Sequence, residues 1–175
     1  MLNVVLALVG SYLVGAIPTS YIVGRLFRGI DLREHGSRNL GATNLFRVLG
    51  WRYAVPVGLF DLTKGALPVL LLGPLGPAGG LFPLLCGITA VLGHVFSVFV
   101  GFKGGKGVAT GAGVVLEVAP WAVAVAFAIW IVLVYATGYV SVGSIVAAAA
   151  YPGAVYLLHP AQRRYLWVHL VLAAA

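Results

Sequence analysis

The chain has 175 residues, of which 61% are hydrophobic and only 9% are charged, with a formal net charge of +7 and a mean hydropathy of +1.04. Such values lie far outside the range of soluble globular domains and exclude that class. They predict an all-α integral membrane protein, a single domain over residues 1–175 with room for about six or seven helices of roughly 20 apolar residues. The lone cysteine, Cys86, lies within an apolar run and excludes a disulfide framework or a cysteine metal cluster.

The apolar segments predict the transmembrane helices in chain order. The first runs from the N-terminus to Ile22 and has no basic residue ahead of it, which is untypical of a cleaved signal peptide. Further spans are predicted at residues 53–72, 81–100, 108–118 (a short one), 121–137 and 142–158. From Tyr165 the chain is apolar again but ends at Ala175, after roughly half the length of a span. We therefore expect a bundle of about seven transmembrane helices, the last one incomplete.

Basic residues set the predicted orientation. The arginine loop, residues 25–52, contains six arginines against two acidic residues, so the positive-inside tendency places it in the cytoplasm and the N-terminus outside. The uncharged connector at residues 73–80, GPLGPAGG, is rich in turn formers and suits an outer hairpin. The lysine loop, residues 101–107, then lies on the inner side too. Two later arginines, Arg163 and Arg164, fall on the outer side, which the inner basic residues outweigh.

The arginine loop has the side chains of a phosphate-binding site. Between Gly36 and Arg47 it combines glycines with short hydrogen-bonding side chains, namely Ser37, Asn39, Thr43 and Asn44. Arg47 adds a planar guanidinium that can bind a phosphate through two parallel hydrogen bonds. A basic loop beside a membrane can also serve only topology and attraction to anionic lipid. The alternation of glycine with short polar residues favours a specific phosphorylated ligand.

The lysine loop predicts a second phosphate site. Gly104, Gly105 and Gly107 allow backbone N–H groups to converge on an anion, while Lys103 and Lys106 supply positive charge. A helix begins directly afterwards, and its N-terminus favours negative charge. The spacing is one residue short of a Walker A loop, and a glycine follows Lys106 in place of serine or threonine. Nucleotide hydrolysis is therefore disfavoured.

Several predicted spans contain polar residues. Asp61 and Lys64 are three positions apart on one helix, so they either neutralise each other as a structural pair or face a polar cavity and orient site residues. His94 lies near the inner end of its span, where it is either a buried, satisfied histidine or a general base. Ser141 and Ser144 lie at the inner mouth of a later helix and are predicted to point toward the two basic loops.

Two phosphate sites on one face of a membrane bundle suit a reaction that joins a water-soluble phosphate to a lipid. The alternative is a transporter or channel for a phosphorylated solute, because transporters also use glycine loops and broken helices. Both basic loops lie on one predicted side, and the sequence has no evident inverted repeat. These two observations favour the enzyme.

Three motifs resemble those of one family. GSRNLGATNLFR (36–47), GHVFSVFVGFKGGKGVATGAG (93–113) and YVSVGSI (139–145), in this order and spacing, resemble the bacterial acyl-phosphate:glycerol-3-phosphate acyltransferases, the PlsY family. The resemblance covers essentially the whole chain. It implies a seven-helix bundle in the inner membrane that transfers a fatty acyl group from acyl phosphate to the 1-hydroxyl of glycerol 3-phosphate. The products would be lysophosphatidic acid and phosphate, in the first step of phospholipid synthesis.

The chain also departs from the family pattern. Ser97 stands where the family usually has proline, and the family's C-terminal segment, with an asparagine and a glutamate of the site, is missing from these residues. We therefore expect the present chain to be an incomplete form of the enzyme.

The resemblance assigns roles to individual residues. His94, Lys106 and Ser144 are the predicted catalytic residues. Glycerol 3-phosphate is expected to bind Ser37, Asn39, Asn44 and Arg47. The acyl phosphate is expected to bind the lysine loop at Lys103, Gly104, Gly105 and Gly107, and Ser141 is expected to complete the polar wall with Ser144.

An acyl phosphate carries a good leaving group, so the predicted reaction needs no covalent nucleophile. The sequence has no G-x-S-x-G motif and no histidine followed five positions later by aspartate. Catalysis is expected to depend on placing two anions and on glycine-loop N–H groups that stabilise the acyl oxygen. The proton of the attacking hydroxyl goes to His94 or, slightly favoured, to the donor's own phosphate oxygen.

The expected partners are glycerol 3-phosphate, long-chain acyl phosphate and membrane lipid, with no nucleic acid. No cofactor and no metal are expected, because no cluster of residues has ligand spacing. The expected location is the bacterial inner membrane, which the chain crosses several times, with the active site facing the cytoplasm.

Overall fold

A computed structural model of the chain describes residues 1–77 and 81–174, and within these two ranges the regular structure is helical, with no strand. The chain forms two compact units, Met1–Val114 and Val115–Ala175. That the two units form one membrane domain stays a prediction. The first unit holds α1 (Leu2–Ala16), α2 (Thr19–Arg28), α3 (Ala42–Leu49), α4 (Trp51–Leu67), α5 (Leu81–Val95) and the beginning of α6 (Val108–Val118).

The first apolar segment is one helical run with a break. Its α1 helix ends at Ala16, and α2 begins at Thr19 after Pro18. Proline has no N–H group and disfavours helical backbone at the residue before it, so the break falls where the sequence requires it. The helical run continues to Arg28, six residues beyond the predicted end at Ile22. After α4 ends at Leu67, the chain stays helical through a π-helical turn at Pro68–Leu72.

Glycines let the helices of the first unit approach closely. A Cβ atom on Gly93 of α5 would lie 2.2 Å from the carbonyl oxygen of Tyr12 in α1. A Cβ atom on Gly113 of α6 would lie 1.9 Å from the carbonyl oxygen of Leu62 in α4. Backbone thus packs directly on backbone, as is common between membrane helices, where dispersion contacts drive association. These contacts fix α5 and α6, which flank the lysine loop.

The second unit contains α7 (Pro120–Thr137), α8 (Val140–Leu158) and α9 (Leu166–Ala174). The first two helices form a hairpin whose turn uses Gly138 with a φ angle of 73°. Its core is small and includes Ala122, Ala154 and Val155. A buried hydrogen bond of 2.7 Å between Tyr151 Oη and His169 Nδ1 joins α9 to α8.

Five helical runs are long and apolar enough to cross a membrane, by length and composition, within the described ranges. They are Leu2–Arg28, Trp51–Leu75, Leu81–Val100, Pro120–Thr137 and Val140–Leu158; Val108–Val118 is shorter. Large apolar side chains are exposed along them, as expected for surfaces that face lipid rather than water. The predicted all-α membrane architecture is confirmed. The count of seven spans and the outer N-terminus stay predictions, and the predicted hairpin at 73–80 lies partly outside the described residues.

We expect the substitution Gly113→Ala to lower the thermal unfolding midpoint of the protein in detergent, because the new methyl group collides with backbone of α4 that cannot move aside. Gly111→Ala in the same helix is the matched control. A Cβ atom at Gly111 meets open space, and alanine favours a helix over glycine by roughly 0.5–1 kcal/mol. Differential scanning fluorimetry of both variants tests this, and equal midpoints would contradict the packing of α6 on α4.

Candidate functional site

Asn44 organises the arginine loop. The residue is buried in the first turn of α3, and its Oδ1 accepts a 2.8 Å hydrogen bond from the Ser37 N–H. Its Nδ2 donates to the carbonyl oxygens of His35 and Asn39, each at 3.0 Å. An asparagine amide has two donors and one carbonyl acceptor, so the loop backbone uses the main hydrogen-bonding capacity of this side chain. The structure thus gives Asn44 a role in shaping the loop, whereas the sequence predicted direct contact with ligand.

Three of the predicted ligand-binding side chains remain open. Ser37 and Arg47 are exposed, and no protein partner for the Ser37 hydroxyl or the Arg47 guanidinium occurs within residues 1–77 and 81–174. Asn39 is half-buried and uses its Oδ1 to accept the Gly41 N–H at 2.9 Å, which closes the turn before α3. Its Nδ2 donor stays available. The loop therefore presents a hydroxyl, an amide donor and a guanidinium.

Asp31 binds two of the six arginines. Its carboxylate accepts from the Arg33 side chain at 2.7 and 3.0 Å and from Arg25 Nη2 at 3.0 Å, and it is 4% exposed. The Arg33 hydrogen bonds hold the pKa of this carboxyl well below its usual range. Sequence reasoning counted Asp31 only as charge balance. Because Asp31 is one of only two acidic residues among six arginines, its ion pairs with Arg25 and Arg33 could have been predicted from the sequence.

The lysine loop folds back on the end of α5. The N–H groups of Gly104 and Gly105 donate to the carbonyl oxygens of Val95 (2.9 Å) and His94 (3.1 Å). These carbonyls belong to the last turn of a helix and have no partner inside it, so the loop caps α5. These two N–H groups already have acceptors within the protein, and that Gly104 and Gly105 bind the acyl phosphate stays a prediction.

The N–H groups that remain lie around the start of α6. In the part of the chain that the structure describes, those of residues 106–109 have no hydrogen-bond acceptor. Gly107 adopts a φ angle of 79°, a conformation that favours glycine, just before the helix begins at Val108. The side chains of Lys103 and Lys106 are exposed beside them. The N–H groups without an acceptor therefore lie further along the chain than Gly104 and Gly105, around the N-terminus of α6.

His94 is buried between a carboxylate and the lysine loop. Its Nδ1 lies 3.9 Å from Asp61 Oδ1, and its side chain is only 7% exposed. A Cβ atom on Gly105 would lie 2.1 Å from His94 Nε2, so this edge of the imidazole faces the loop backbone. Asp61 also pairs with Lys64 at 2.6 Å. The interpretation of Asp61 and Lys64 as a mutually neutralising pair is confirmed, while a role in orienting site residues stays a prediction.

The two basic loops adjoin each other within the first unit. Arg33 Nη1 donates to the carbonyl oxygen of Val100 at 3.4 Å, immediately before the lysine loop. Val100 also packs with Leu32 and Leu45 of the arginine loop in one buried hydrophobic cluster. The sequence prediction that both loops serve one site is compatible with this contact, which no spacing along the chain could have indicated.

Two predicted site residues lie in the second unit. Ser144 Oγ accepts a 3.2 Å hydrogen bond from the Trp130 indole N–H, while Ser141 is exposed. The pair stays a prediction as part of the site, since it lies in a different unit from the basic loops.

The helices and loops together define the class: a helical membrane protein with two basic loops beside its apolar spans. Comparison with known proteins then gives the family. The family model described as glycerol-3-phosphate acyltransferase matches residues 5–175, and the chain belongs to this family. The resemblance in the sequence motifs and the predicted acyltransferase class are both confirmed.

Relatives and solved structures agree with this assignment. The glycerol-3-phosphate acyltransferase of Chlorobium phaeobacteroides (strain BS1) is 44% identical over 177 residues, 95% of this chain and 73% of the relative. That of Chlorobaculum parvum is 46% identical over 178 residues, 95% of this chain and 74% of the relative. A crystal structure of PlsY (YgiH), an integral membrane glycerol 3-phosphate acyltransferase in its glycerol 3-phosphate form, is similar with a TM-score of 0.88 and 35% identity. It covers 98% of this chain and 84% of that one. The lysophosphatidic acid form has a TM-score of 0.86.

We expect Asn44→Ala to open the arginine loop, because it leaves one N–H group and two carbonyl oxygens without their partner, at about 1 kcal/mol for each lost bond. Trypsin should then cleave the folded protein after the exposed Arg38 at least about tenfold faster. Thr43→Ala, at an exposed position in the same turn, is the control and should leave the rate unchanged. Equal cleavage of both variants would contradict the role of Asn44 in shaping the loop.

We expect Asp31→Asn to lower the thermal midpoint by an amount that depends on pH. The pKa of Asp31 is lower in the folded protein than its ordinary value of 3.8, so its ion pairs stabilise the fold fully above that value. This stabilisation is lost as the pH falls through the folded pKa. The difference in midpoint between wild type and variant should stay constant from pH 8 to about 5 and shrink below about 4. Glu34→Gln, at an exposed neighbouring position, should have the same thermal midpoint as the wild type. A difference in midpoint between wild type and Asp31→Asn that grows in acid would contradict the stabilising role of the Asp31 ion pairs.

Proposed function

We propose that this chain transfers a fatty acyl group from acyl phosphate to the 1-hydroxyl of glycerol 3-phosphate, giving lysophosphatidic acid and inorganic phosphate. The observation that carries the proposal is the pair of similar solved structures, one described in a glycerol 3-phosphate form and one in a lysophosphatidic acid form. One is the acceptor and the other is the product of this reaction. The acyl phosphate donor follows from the motifs shared with the PlsY family.

Glycerol 3-phosphate is assigned to the arginine loop. The Arg47 guanidinium forms two parallel hydrogen bonds to the phosphate, and the Ser37 hydroxyl and Asn39 Nδ2 donate to its remaining oxygens or to the glycerol. Support comes from their availability, since these groups have no protein partner within the described ranges. Asn44 acts one step back by holding the loop backbone that carries Ser37 and Asn39.

The acyl phosphate is assigned to the lysine loop and the N-terminus of α6. The Lys106 and Lys103 side chains and the N–H groups of residues 106–109 neutralise the phosphate. Gly104 and Gly105 contribute by folding the loop against α5. That Ser141 and Ser144 take part in the site stays a prediction from the motifs; within the second unit the Ser144 oxygen accepts from Trp130, so its hydroxyl proton stays free to donate.

The reaction is a direct displacement. The 1-hydroxyl oxygen attacks the acyl carbonyl carbon, an ester bond forms, and the bond between that carbon and the phosphate oxygen breaks. The hydroxyl proton leaves with the phosphate, which becomes hydrogen phosphate. The donor's own oxygen is the base we favour over His94, because His94 Nε2 faces the backbone of Gly105 and the ring is almost fully buried. His94 then remains the second route for the proton.

The site is assigned to the cytoplasmic side of the bacterial inner membrane. Its two loops hold eight of the eleven lysine and arginine residues, which follows the positive-inside tendency. A seven-helix bundle with an outer N-terminus is the arrangement that agrees with this side. The acyl donor and the lipid product would enter and leave through the surrounding bilayer, while glycerol 3-phosphate arrives from the cytoplasm.

The test is an assay of the purified protein in detergent with palmitoyl phosphate and glycerol 3-phosphate, following phosphate and lysophosphatidic acid together. Equal amounts of both products are expected, and palmitoyl-CoA as a parallel donor should give none. A transporter would form no product without a membrane. Absence of both products from palmitoyl phosphate would reject the proposed reaction.

In the same assay we expect Arg47→Gln to raise the KM for glycerol 3-phosphate about tenfold or more. A hydrogen bond to a charged group contributes about 1.5–3 kcal/mol, and tenfold corresponds to about 1.4 kcal/mol. Arg52→Gln is the matched control, because Arg52 is exposed at the last position of the same loop, in the first turn of α4, and its guanidinium lies over the Trp51 ring. An unchanged KM in Arg47→Gln, or an equal rise in both variants, would remove Arg47 from the glycerol 3-phosphate site.

A further inference from the structure

A buried polar cluster lies at the centre of the first unit, next to the lysine loop. Asp61 and Lys64 of α4 are each 2% exposed, and His94 of α5 is 7% exposed. A charged side chain in a membrane span costs at least about 2.5 kcal/mol, and ionisable groups at such depth usually pair with one another or serve function.

One carboxylate oxygen joins three helical segments. Asp61 Oδ1 accepts from Lys64 Nζ at 2.6 Å and from Thr19 Oγ1 of α2 at 3.2 Å. The same oxygen is the Asp61 atom nearest to His94, at 3.9 Å from Nδ1. Lys64 Nζ also donates to the carbonyl oxygen of Ile17 at 2.8 Å, in the break of the first span. Asp61 is therefore held from two sides and presents its charge to the imidazole.

His94 continues the chain of contacts to the lysine loop. Its carbonyl oxygen accepts the Gly105 N–H, and its Nε2 faces the place where a Gly105 side chain would be. Because the imidazole and Gly105 are both buried, a shift of the ring displaces the loop backbone. Gly105 directly precedes Lys106. The ring position thus sets the position of the phosphate-binding residues.

We propose that Asp61, held by Lys64 and Thr19, is a positioning residue that fixes the His94 imidazole and, through it, the lysine loop that binds acyl phosphate. The inference rests on the proposed function and deepens it. Asp61 Oδ1 lies 3.9 Å from Nδ1, beyond hydrogen-bond distance, so the carboxylate acts on the ring by electrostatic attraction, which favours the imidazole form with its proton on Nδ1. Nε2 is then unprotonated and sits against Gly105. Asp61 touches no substrate and acts through His94.

A purely structural role would be simpler. Lys64 satisfies the carbonyl of Ile17, and Asp61 neutralises Lys64, so the pair could serve only to stabilise the broken first span. Loss of such a role lowers stability and all activity together. Loss of a positioning role raises the KM for acyl phosphate and leaves the KM for glycerol 3-phosphate nearly unchanged.

A double-mutant cycle of Asp61→Asn and His94→Gln separates the two roles in the detergent assay. Each single variant should raise the KM for palmitoyl phosphate about tenfold, which corresponds to about 1.4 kcal/mol. The double variant should be no worse than His94→Gln alone, because Asp61 acts through the imidazole. Losses that multiply, or an equal rise in the KM for glycerol 3-phosphate, would overturn the proposal. Thr63→Ala, on the exposed side of α4, is the control and should leave both KM values unchanged.

Two further variants protect the test against unfolding. Asp61→Asn with Lys64→Gln leaves no unpaired buried ammonium, so its thermal midpoint should be no lower than that of Asp61→Asn, while the KM for palmitoyl phosphate stays raised; a wild-type KM in this double variant would leave only the structural role. Thr19→Val removes one hydrogen bond to Asp61 without changing charge and should raise the same KM by a few-fold. If Asp61→Asn does not fold, Thr19→Val takes its place in the test. An unchanged KM for palmitoyl phosphate in Thr19→Val would then contradict the proposal. Absence of turnover in the wild type would reject the proposed function itself.

Discussion

The hydrogen bond from Lys64 to the carbonyl of Ile17 joins α4 to the break in the first span, where the same carbonyl also accepts the Thr19 N–H at 3.0 Å. A bilayer offers no water to a carbonyl that has lost its helical partner, so a broken span requires an internal donor. Proline at position 18 creates the break, and the ammonium of Lys64 occupies it. Because of the break, α2 does not continue the helix axis of α1, and Arg25 near the end of α2 forms an ion pair with Asp31. The arginine loop therefore follows a broken span, and Lys64 of α4 hydrogen-bonds a backbone carbonyl at that break.

The sequence predicted most of the helices because hydropathy, glycine and proline act over short stretches of chain. Residues 81–100 and 108–118 agree with the helical runs of the structure. The break at Pro18 was missed, although proline marks such a point, because the surrounding apolar run is continuous. Helix ends shifted by up to six residues, since hydropathy alone does not determine where a helix stops.

The candidate site was predictable in its residue types and not in its hydrogen bonds. A glycine N–H group serves an anion or a carbonyl equally well, and only the fold brings the carbonyls of α5 within reach of Gly104 and Gly105. The partners of Asn44 were equally unpredictable, because they are backbone carbonyls of His35 and Asn39, which come earlier in the loop. The i, i+3 spacing predicted the pairing of Asp61 with Lys64, whereas Thr19 and His94 joined it from distant parts of the chain.

The hydrogen bonds of Asn44 have a consequence for how a small, strongly hydrated molecule is captured. Because folding already fixes the backbone around Ser37 and Asn39, the ligand proposed to bind there would meet a preorganised surface and would not have to order the loop. Immobilising a free loop of this length would cost about 1–2 kcal/mol for each residue ordered. Glycerol 3-phosphate offers few contacts to offset such a cost. A rigid loop lets a handful of polar groups discriminate by shape and charge, with the conformational entropy lost before the ligand arrives.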